Sequence, residues 1–393
     1  MISFKQARRN ETLNAIDVFF ATPFIVLVTQ YAPVLVTRLE ASSLLLGFLT
    51  SGSALVVTLG SILGPRWLLT SRNYYWAFGL PSLIWRMVTF IIPFALLQTH
   101  YQAEIIVLGT ILLSSVSGFA NFTLTAYFPR MTLPDRVAKL VSLRWIMLGF
   151  GMSITTPILG MVLDTYPMPV NYSIVAVIAF VTVMMSWGAL MLVKPSTGIA
   201  KSTQRAHIGW SQIRNHKPAF NYLMVTLLIN SAINAAGPLI TLQMVRNLKA
   251  SDSDFGWYLS IFWAALAVCG LFTSRIIERW GNAFTFGIAG LGLTVQLVIL
   301  ALAPNLVVTY VAALIAGMSS VMFQVSSYAL LVDCAPKDGY EGYVSWHSTI
   351  VNISIFAAPL IMSALVDLGL SVVVGLLICA SLRAVSSIVA LKM

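Results

Sequence analysis

Asp17, Arg86 and His347 are ionisable side chains set inside long apolar runs, where such groups are costly and mark function by default. Asp17 lies a turn or two into the first run. It suits a proton or a cationic solute, and it equally suits an interfacial pair with Arg8, Arg9 or another nearby base. Arg86, in "PSLIWRMVTF", lies roughly 18 Å from one end of its run at the helical rise per residue. It can hold an anionic group or a carboxylate partner, or it can cap carbonyls. Arg383 sits nearer a run end, where a long stem lets the charge snorkel. His347 is the histidine inside a run, a residue type that can carry a proton near neutral pH. Around these stand the neutral amides Gln30, Asn121, Asn230, Asn234, Gln243, Gln324 and Asn352. Asn230 and Asn234, spaced i, i+4, share one helix face. Each amide can meet a solute or make a helix–helix hydrogen bond, worth about 1 kcal/mol or less in a membrane.

Covalent chemistry has no carrier here. The sequence holds no Gly-rich phosphate loop, nucleophile elbow, paired-carboxylate site or metal-ligand spacing. Cys269, Cys334 and Cys379 are too far apart for a disulfide framework or metal knuckle. The expectation is a binding protein without cofactor or metal, and not an enzyme.

The elements that must position these residues follow from composition. The 393 residues are 58% hydrophobic and only 9% charged, with a mean hydropathy of +0.88. Soluble domains keep about 25% charged residues. The solvent is therefore lipid, and a span needs roughly 20 apolar residues. Twelve such runs cover 13–36, 43–65, 74–97, 103–128, 140–163, 170–193, 219–245, 254–274, 283–303, 305–332, 342–366 and 369–391. Each reads as a helix, because lipid requires every backbone group to be satisfied within its own segment. The fold class is an all-α integral membrane protein of twelve transmembrane helices. "MISFKQARRN" precedes a run too long for a signal peptide, so the first span is expected to stay.

The 23 lysines and arginines sort by loop. All but Arg38, Arg246, Lys249 and the mid-span Arg86 and Arg383 fall on the side of the N-terminus. The positive-inside rule then places both termini in the cytoplasm. The net charge of +10 is thus a topology signal that meets anionic lipid headgroups, not a nucleic-acid surface.

The chain reads as two halves, 1–193 and 219–393, each of six spans. Between them lies the basic polar stretch 194–218, in which "GWSQIRN" is a short amphipathic helix or plain linker. The fifth span of each half repeats a pattern. Pro134 and Pro157 match Pro336 and Pro359, and Asp164 matches Asp367. Parallel six-span repeats with a midplane site are a known transporter plan.

One loop is unusually charged. "GLFTSRIIERWGNAFTF" (270–286) holds Gly270, Glu278, Arg279 and Gly281. It resembles the cytoplasmic signature of the major facilitator superfamily, with Glu for the usual Asp and Asn282 for a basic residue. An acid and a guanidinium at helix ends can pair with each other and with helix dipoles, and the glycine permits the turn. The first-half counterpart "GSILGPRWLLTSRNYYW" keeps Gly60, Arg66 and Arg72 but has no acid. The family's fourth-span arginine is absent beside Gly118, and of its fifth-span antiporter pattern only Pro157 and Gly160 remain.

The resemblance implies two six-helix bundles that rock about a central site and a gating role for the charged loop. It implies a monomeric secondary active transporter moving a small solute by alternating access. The polar residues above are its candidate solute and proton contacts. The composition points to a hydrophobic or amphipathic solute. The driving force is a proton gradient, with Asp17 as the proton carrier, or the solute's own gradient, for efflux or uptake. The opening "RNETLNAID" and the third-span arginine resemble a prokaryotic branch of the family, which implies a prokaryotic inner membrane. The competing reading is a non-transporting member of the same fold, an assembly factor or receptor.

Overall fold

The computed structural model describes residues 3–71, 73–133, 136–196, 210–336 and 340–392. Arg72, Pro134, Lys337 and most of the 194–218 linker, including Lys201 and Arg205, lie outside the described residues. Twelve helices are long and apolar enough to cross a membrane: Phe4–Arg38, Ser43–Gly64, Tyr75–Leu96, Gln102–Met131, Lys139–Thr165, Val170–Met191, Lys217–Asn247, Asp252–Trp280, Asn282–Ala301, Leu306–Asp333, Tyr343–Asp367 and Val372–Ala390. They are called spans 1 to 12 below. No strand occurs among the described residues.

Span 1 begins at Phe4 rather than near residue 13, and the reason is polar. Ser3 Oγ caps the helix by accepting from the Gln6 N–H (3.2 Å). One face of the stretch that hydropathy assigns to solvent, carrying Ala7, Asn10 and Glu11, is instead buried by specific partners. Asn10 Nδ2 donates to the Met131 and Lys194 carbonyls (2.8 and 3.0 Å). Glu11 Oε1 accepts from Thr132 Oγ1 (2.6 Å) and Arg136 Nε (2.8 Å). A buried carboxylate is stable when paired and hydrogen-bonded in this way.

Two compact units emerge. Unit 1 comprises Met1–Ile199 with Ala250–Ser260, and unit 2 comprises Ala200–Lys249 with Ile261–Met393. The start of span 8 goes with unit 1. Its contacts explain this. Arg38 Nη2 pairs with Asp252 Oδ1 (3.1 Å). The Asp164 carboxylate accepts from the Asp252 and Ser253 N–H groups (3.0 and 2.8 Å), an acid at a helix N-terminus where the dipole favours it. Gly160 and Gly256 make the approach possible. A Cβ at either would lie 2.6 Å from Tyr31 Oη, whose proton goes to the Thr156 carbonyl (2.7 Å).

Inside the two units the packing scheme repeats. In unit 1, span 1 packs on spans 5 and 6, and span 3 on spans 4 and 6. In unit 2, span 7 packs on spans 11 and 12, and span 9 on spans 10 and 12. Small residues bring the remaining pairs together, as in many membrane helix contacts. A Cβ at Gly60 of the span 2 helix would lie 2.6 Å from the Ser115 carbonyl of span 4. A Cβ at Gly317 of span 10 would lie 2.1 Å from the Phe262 carbonyl of span 8.

Candidate functional site

Irregular helix places the first site residues. Span 3 opens with a π-helical turn, Tyr75–Gly79, and breaks into a 3₁₀ turn, Met87–Phe90, directly after Arg86. Such turns inside spans often occur at functional positions. Arg86 is buried and commits nearly all its donors to protein. Nε donates to the Val183 carbonyl of span 6 (3.0 Å), and Nη1 to the Ser82 carbonyl (2.9 Å) and hydroxyl. Nη2 donates to Ser186 Oγ (3.1 Å). Ser186 Oγ in turn donates to Asp17 Oδ1 (2.7 Å).

Asp17 is only 3% exposed. Its second oxygen, Oδ2, pairs with Arg144 Nη1 at 2.8 Å. Arg144 Nη1 also donates to Asn14 Oδ1 (2.8 Å), and the guanidinium lies 5.4 Å from the Phe128 ring centroid, a cation–π distance. The result is one continuous polar chain: Arg86, Ser186, Asp17, Arg144 and Asn14. Arg144 is the residue that sequence reading missed as a site. It stands at a helix entry, where a base already has an explanation in topology, and its partner is 127 residues away.

This chain borders a cavity of about 500 Å³, within the ordinary range for small-molecule sites. Asp17, Arg86, Arg144, Asn121, Ser82 and Ser117 contribute polar groups to its wall. Phe24, Phe78, Trp85, Phe128 and Trp145 contribute aromatic faces. Every lining residue belongs to unit 1. The cavity therefore brings together three of the sequence candidates, Asp17, Arg86 and Asn121.

The others do not line it. Gln30 is half-buried and does not line the cavity. Asn230 and Asn234 each donate back to their own helix, to the Thr226 and Asn230 carbonyls (2.9 and 2.7 Å). Gln243 is buried and donates to the Leu300 carbonyl (3.2 Å), which ties span 7 to span 9. Gln324 is exposed and Asn352 half-buried. His347 stacks on Tyr222 at 5.7 Å between centroids, with Nε2 3.5 Å from the Tyr222 hydroxyl. Its neighbour Trp346 packs on Trp210 of the short helix Trp210–Asn215. No group of three or more metal-ligating side chains occurs among the described residues.

In the charged loop, Gly281 adopts φ +82°, a conformation glycine accepts freely, and its N–H closes span 8 on the Ile277 carbonyl (2.8 Å). Gly270 faces Val321 of span 10. Glu278 and Arg279 are exposed, and neither forms an ion pair among the described residues. The tie is made instead by Asn282, whose Nδ2 donates to Asp333 Oδ2 at the end of span 10 (2.6 Å).

Two six-span units with one packing scheme match known proteins. Residues 223–392 match the family model of the Major Facilitator Superfamily. The chain has the major facilitator fold. A mutant of the nucleoside transporter NupG superposes with a TM-score of 0.76 at 13% identity, covering 98% of this chain and 99% of its own. A POT family transporter in complex with a thioalcohol-conjugated peptide gives 0.71 at 12% identity, over 99% and 96%. An inward-facing, unoccupied bacterial homologue of the human lysosomal transporter Spinster gives 0.63 at 12% identity, over 99% and 97%. No curated protein matches the chain by sequence. The likeness to the superfamily thus rests on sequence over residues 223–392 and on fold throughout. The chain is a multi-pass integral membrane protein.

Proposed function

We propose that the chain is a secondary active transporter that moves a small solute across the membrane by alternating access. Both termini are read as cytoplasmic, from the distribution of basic residues. The observation that carries the proposal is the cavity of unit 1, a space of about 500 Å³ among its spans, walled by aromatics and bordered by a largely buried ion pair. A purely structural bundle gains nothing from a buried ion pair beside a void, since replacing such a pair with packed apolar residues is often neutral or stabilising. The neighbouring folds supply precedent: one superposed protein is a nucleoside transporter, one a POT family transporter, and one a bacterial homologue of a lysosomal transporter. In this reading Asp17 carries the coupled proton, through exchange of its Arg144 partner, the pair being 2.8 Å apart. A proton gradient is then a sufficient driving force, and no ATPase motif occurs in the sequence.

The test is flux in proteoliposomes holding a pH-sensitive dye, with a panel of amphipathic solutes added from outside. Solute uptake that moves protons, and a proton signal lost in Asp17→Asn, are the expected results. No flux of any solute, with a protein partner copurifying, would replace this reading with that of an assembly factor.

A further inference from the structure

We propose that the cavity is selective for an organic monoanion: a single carboxylate or similar anionic group on an apolar, aromatic-sized body. This rests on reading the cavity as the solute site. The argument is an inventory of what the wall has already satisfied and what it has not.

The carboxylate is satisfied. Both oxygens of Asp17 accept hydrogen bonds, Oδ1 from Ser186 and Oδ2 from Arg144, so no free acceptor awaits a cation. The deep arginine is satisfied as well, with Nε, Nη1 and Nη2 of Arg86 all donating to Val183, Ser82 and Ser186. Arg144 is different. Its hydrogen bonds among the described residues all leave from Nη1. Its Nε and Nη2 edge has no hydrogen-bond partner among the described residues, and that edge is the planar fork that receives a carboxylate by two parallel bonds. Asn121, across the wall, also has a side-chain amide with no partner among the described residues.

Charge points the same way. Two guanidiniums and one carboxylate line the cavity, leaving a formal excess of one positive charge. An uncompensated charge in a low-dielectric interior is unfavourable by several kcal/mol. A bound monoanion neutralises it, while a neutral solute leaves it and a cation doubles it. The aromatic faces of Trp85, Trp145 and Phe24 then define the rest of the ligand as apolar. The ion pair becomes part of recognition: Arg144 bridges the solute on one edge and Asp17 on the other.

The experiment compares three probes of one shape: 4-phenylbutyrate, its primary amide and 4-phenylbutylamine. Each is titrated calorimetrically into the purified full chain in phosphatidylcholine nanodiscs. The carboxylate is expected to bind about tenfold to a hundredfold more tightly than the amide, as for a hydrogen bond to a charged group, and the amine weakest. Arg144→Gln should bring the carboxylate and amide together, and Arg144→Lys should retain part of the preference. The wild-type ratio tests the idea even if both variants misfold. An amide or amine bound as tightly as the carboxylate overturns it, as does binding of none of the three. Repeating the titration with phosphatidylglycerol separates sources of the same chemistry. Unchanged affinity assigns the site to a free solute, and competition assigns it to an anionic lipid headgroup. The outcomes also separate this proposal from the transport reading. A carboxylate preference without flux removes the transporter and keeps the anion site. Flux without a carboxylate preference does the reverse.

Discussion

Each unit buries one arginine at the joint between its third and sixth spans, but the two units supply it from opposite sides. In unit 1, Arg86 of span 3 reaches the Val183 carbonyl of span 6 (3.0 Å). In unit 2, Arg383 of span 12 reaches the Leu293 carbonyl of span 9 (2.9 Å) and approaches Gln296. Both are nearly inaccessible, 6% and 3% exposed. A helix carbonyl keeps a second lone pair that lipid cannot satisfy, and a guanidinium with its five donors answers that need from either side. The joint therefore explains an arginine. It does not explain what unit 1 adds, namely Asp17 and Arg144 linked to Arg86 through Ser186. The interiors of spans 7 to 12 contain no aspartate or glutamate at all. The surplus polar equipment of unit 1 is thus the part that packing does not demand, and it lines the cavity.

The most forceful way to break this comparison is Asp17→Asn. It leaves Arg144 without its counter-charge in a largely buried place, a change expected to destabilise by about 3–5 kcal/mol. Asn234→Ala, a mid-span polar change in unit 2, removes a bond back to its own helix and is expected to shift stability by less than about 1 kcal/mol. Thermal unfolding of the two variants in one detergent measures the contrast. Similar midpoints would mean that the ion pair is no different from any other polar contact in the bundle.

Next in size are the arginines themselves. Arg86→Gln and Arg383→Gln each remove charge-assisted bonds to carbonyls, worth about 1.5–3 kcal/mol apiece, so comparable losses of stability are expected. Function should separate them. Arg86→Gln alters solute affinity or proton flux because Arg86 orients Ser186 and through it Asp17, whereas Arg383→Gln lowers only the amount of folded protein. Equal loss of solute binding per folded molecule in both variants would dissolve the distinction between the two joints.

Smaller still are the helix crossings, and here unit 2 should be the more sensitive. A Cβ at Gly317 would meet the Phe262 carbonyl at 2.1 Å, and one at Gly60 would meet the Ser115 carbonyl at 2.6 Å. Backbone atoms cannot swing aside, so both alanine variants are expected to lose about 1–3 kcal/mol, with Gly317→Ala the worse. The order reverses only if the span 2 and span 4 pair is the more rigid, which the unfolding midpoints would reveal.

The spans were legible because hydropathy is local: each run announces itself within some 20 residues, and the basic loops give their address. The start of span 1 was not. Its polar residues look solvated until Met131, Thr132, Arg136 and Lys194 are brought against them. The site was half legible for the same reason. Asp17, Arg86 and Asn121 stand out as polar residues in apolar runs. Arg144 does not, since a base at a helix entry already has an explanation in topology, and only its distance to Asp17 reveals a second role. The reverse holds for Asn230 and Asn234. Their shared face reads as a site, yet each amide turns to the carbonyl four residues back. The approach of residues 250–256 to Tyr31, Arg38 and Asp164 had one sequence trace, the Gly160 left over from a degenerate pattern.

The smallest expected effect concerns "SRIIERWGN" against its acid-free counterpart "GPRWLLTSRN". Gating is the role proposed for this loop through Glu278 and Arg279, but both are exposed, and exposed charges contribute little. Glu278→Gln should therefore change stability by no more than about 0.5 kcal/mol. Asn282, where the family pattern has a base, holds Asp333 at 2.6 Å, so Asn282→Ala should lose about 0.5–1.5 kcal/mol. Asn282→Asp should be worse than alanine, because it sets two carboxylates side by side in place of a donor and an acceptor. Asn282→Lys restores the pattern's base and an attractive partner for Asp333, and should be tolerated. If solute flux follows this same order, the tie between spans 9 and 10 regulates the cycle. If flux instead falls in Glu278→Gln while stability stands, the exposed acid does its work in a conformation other than this one.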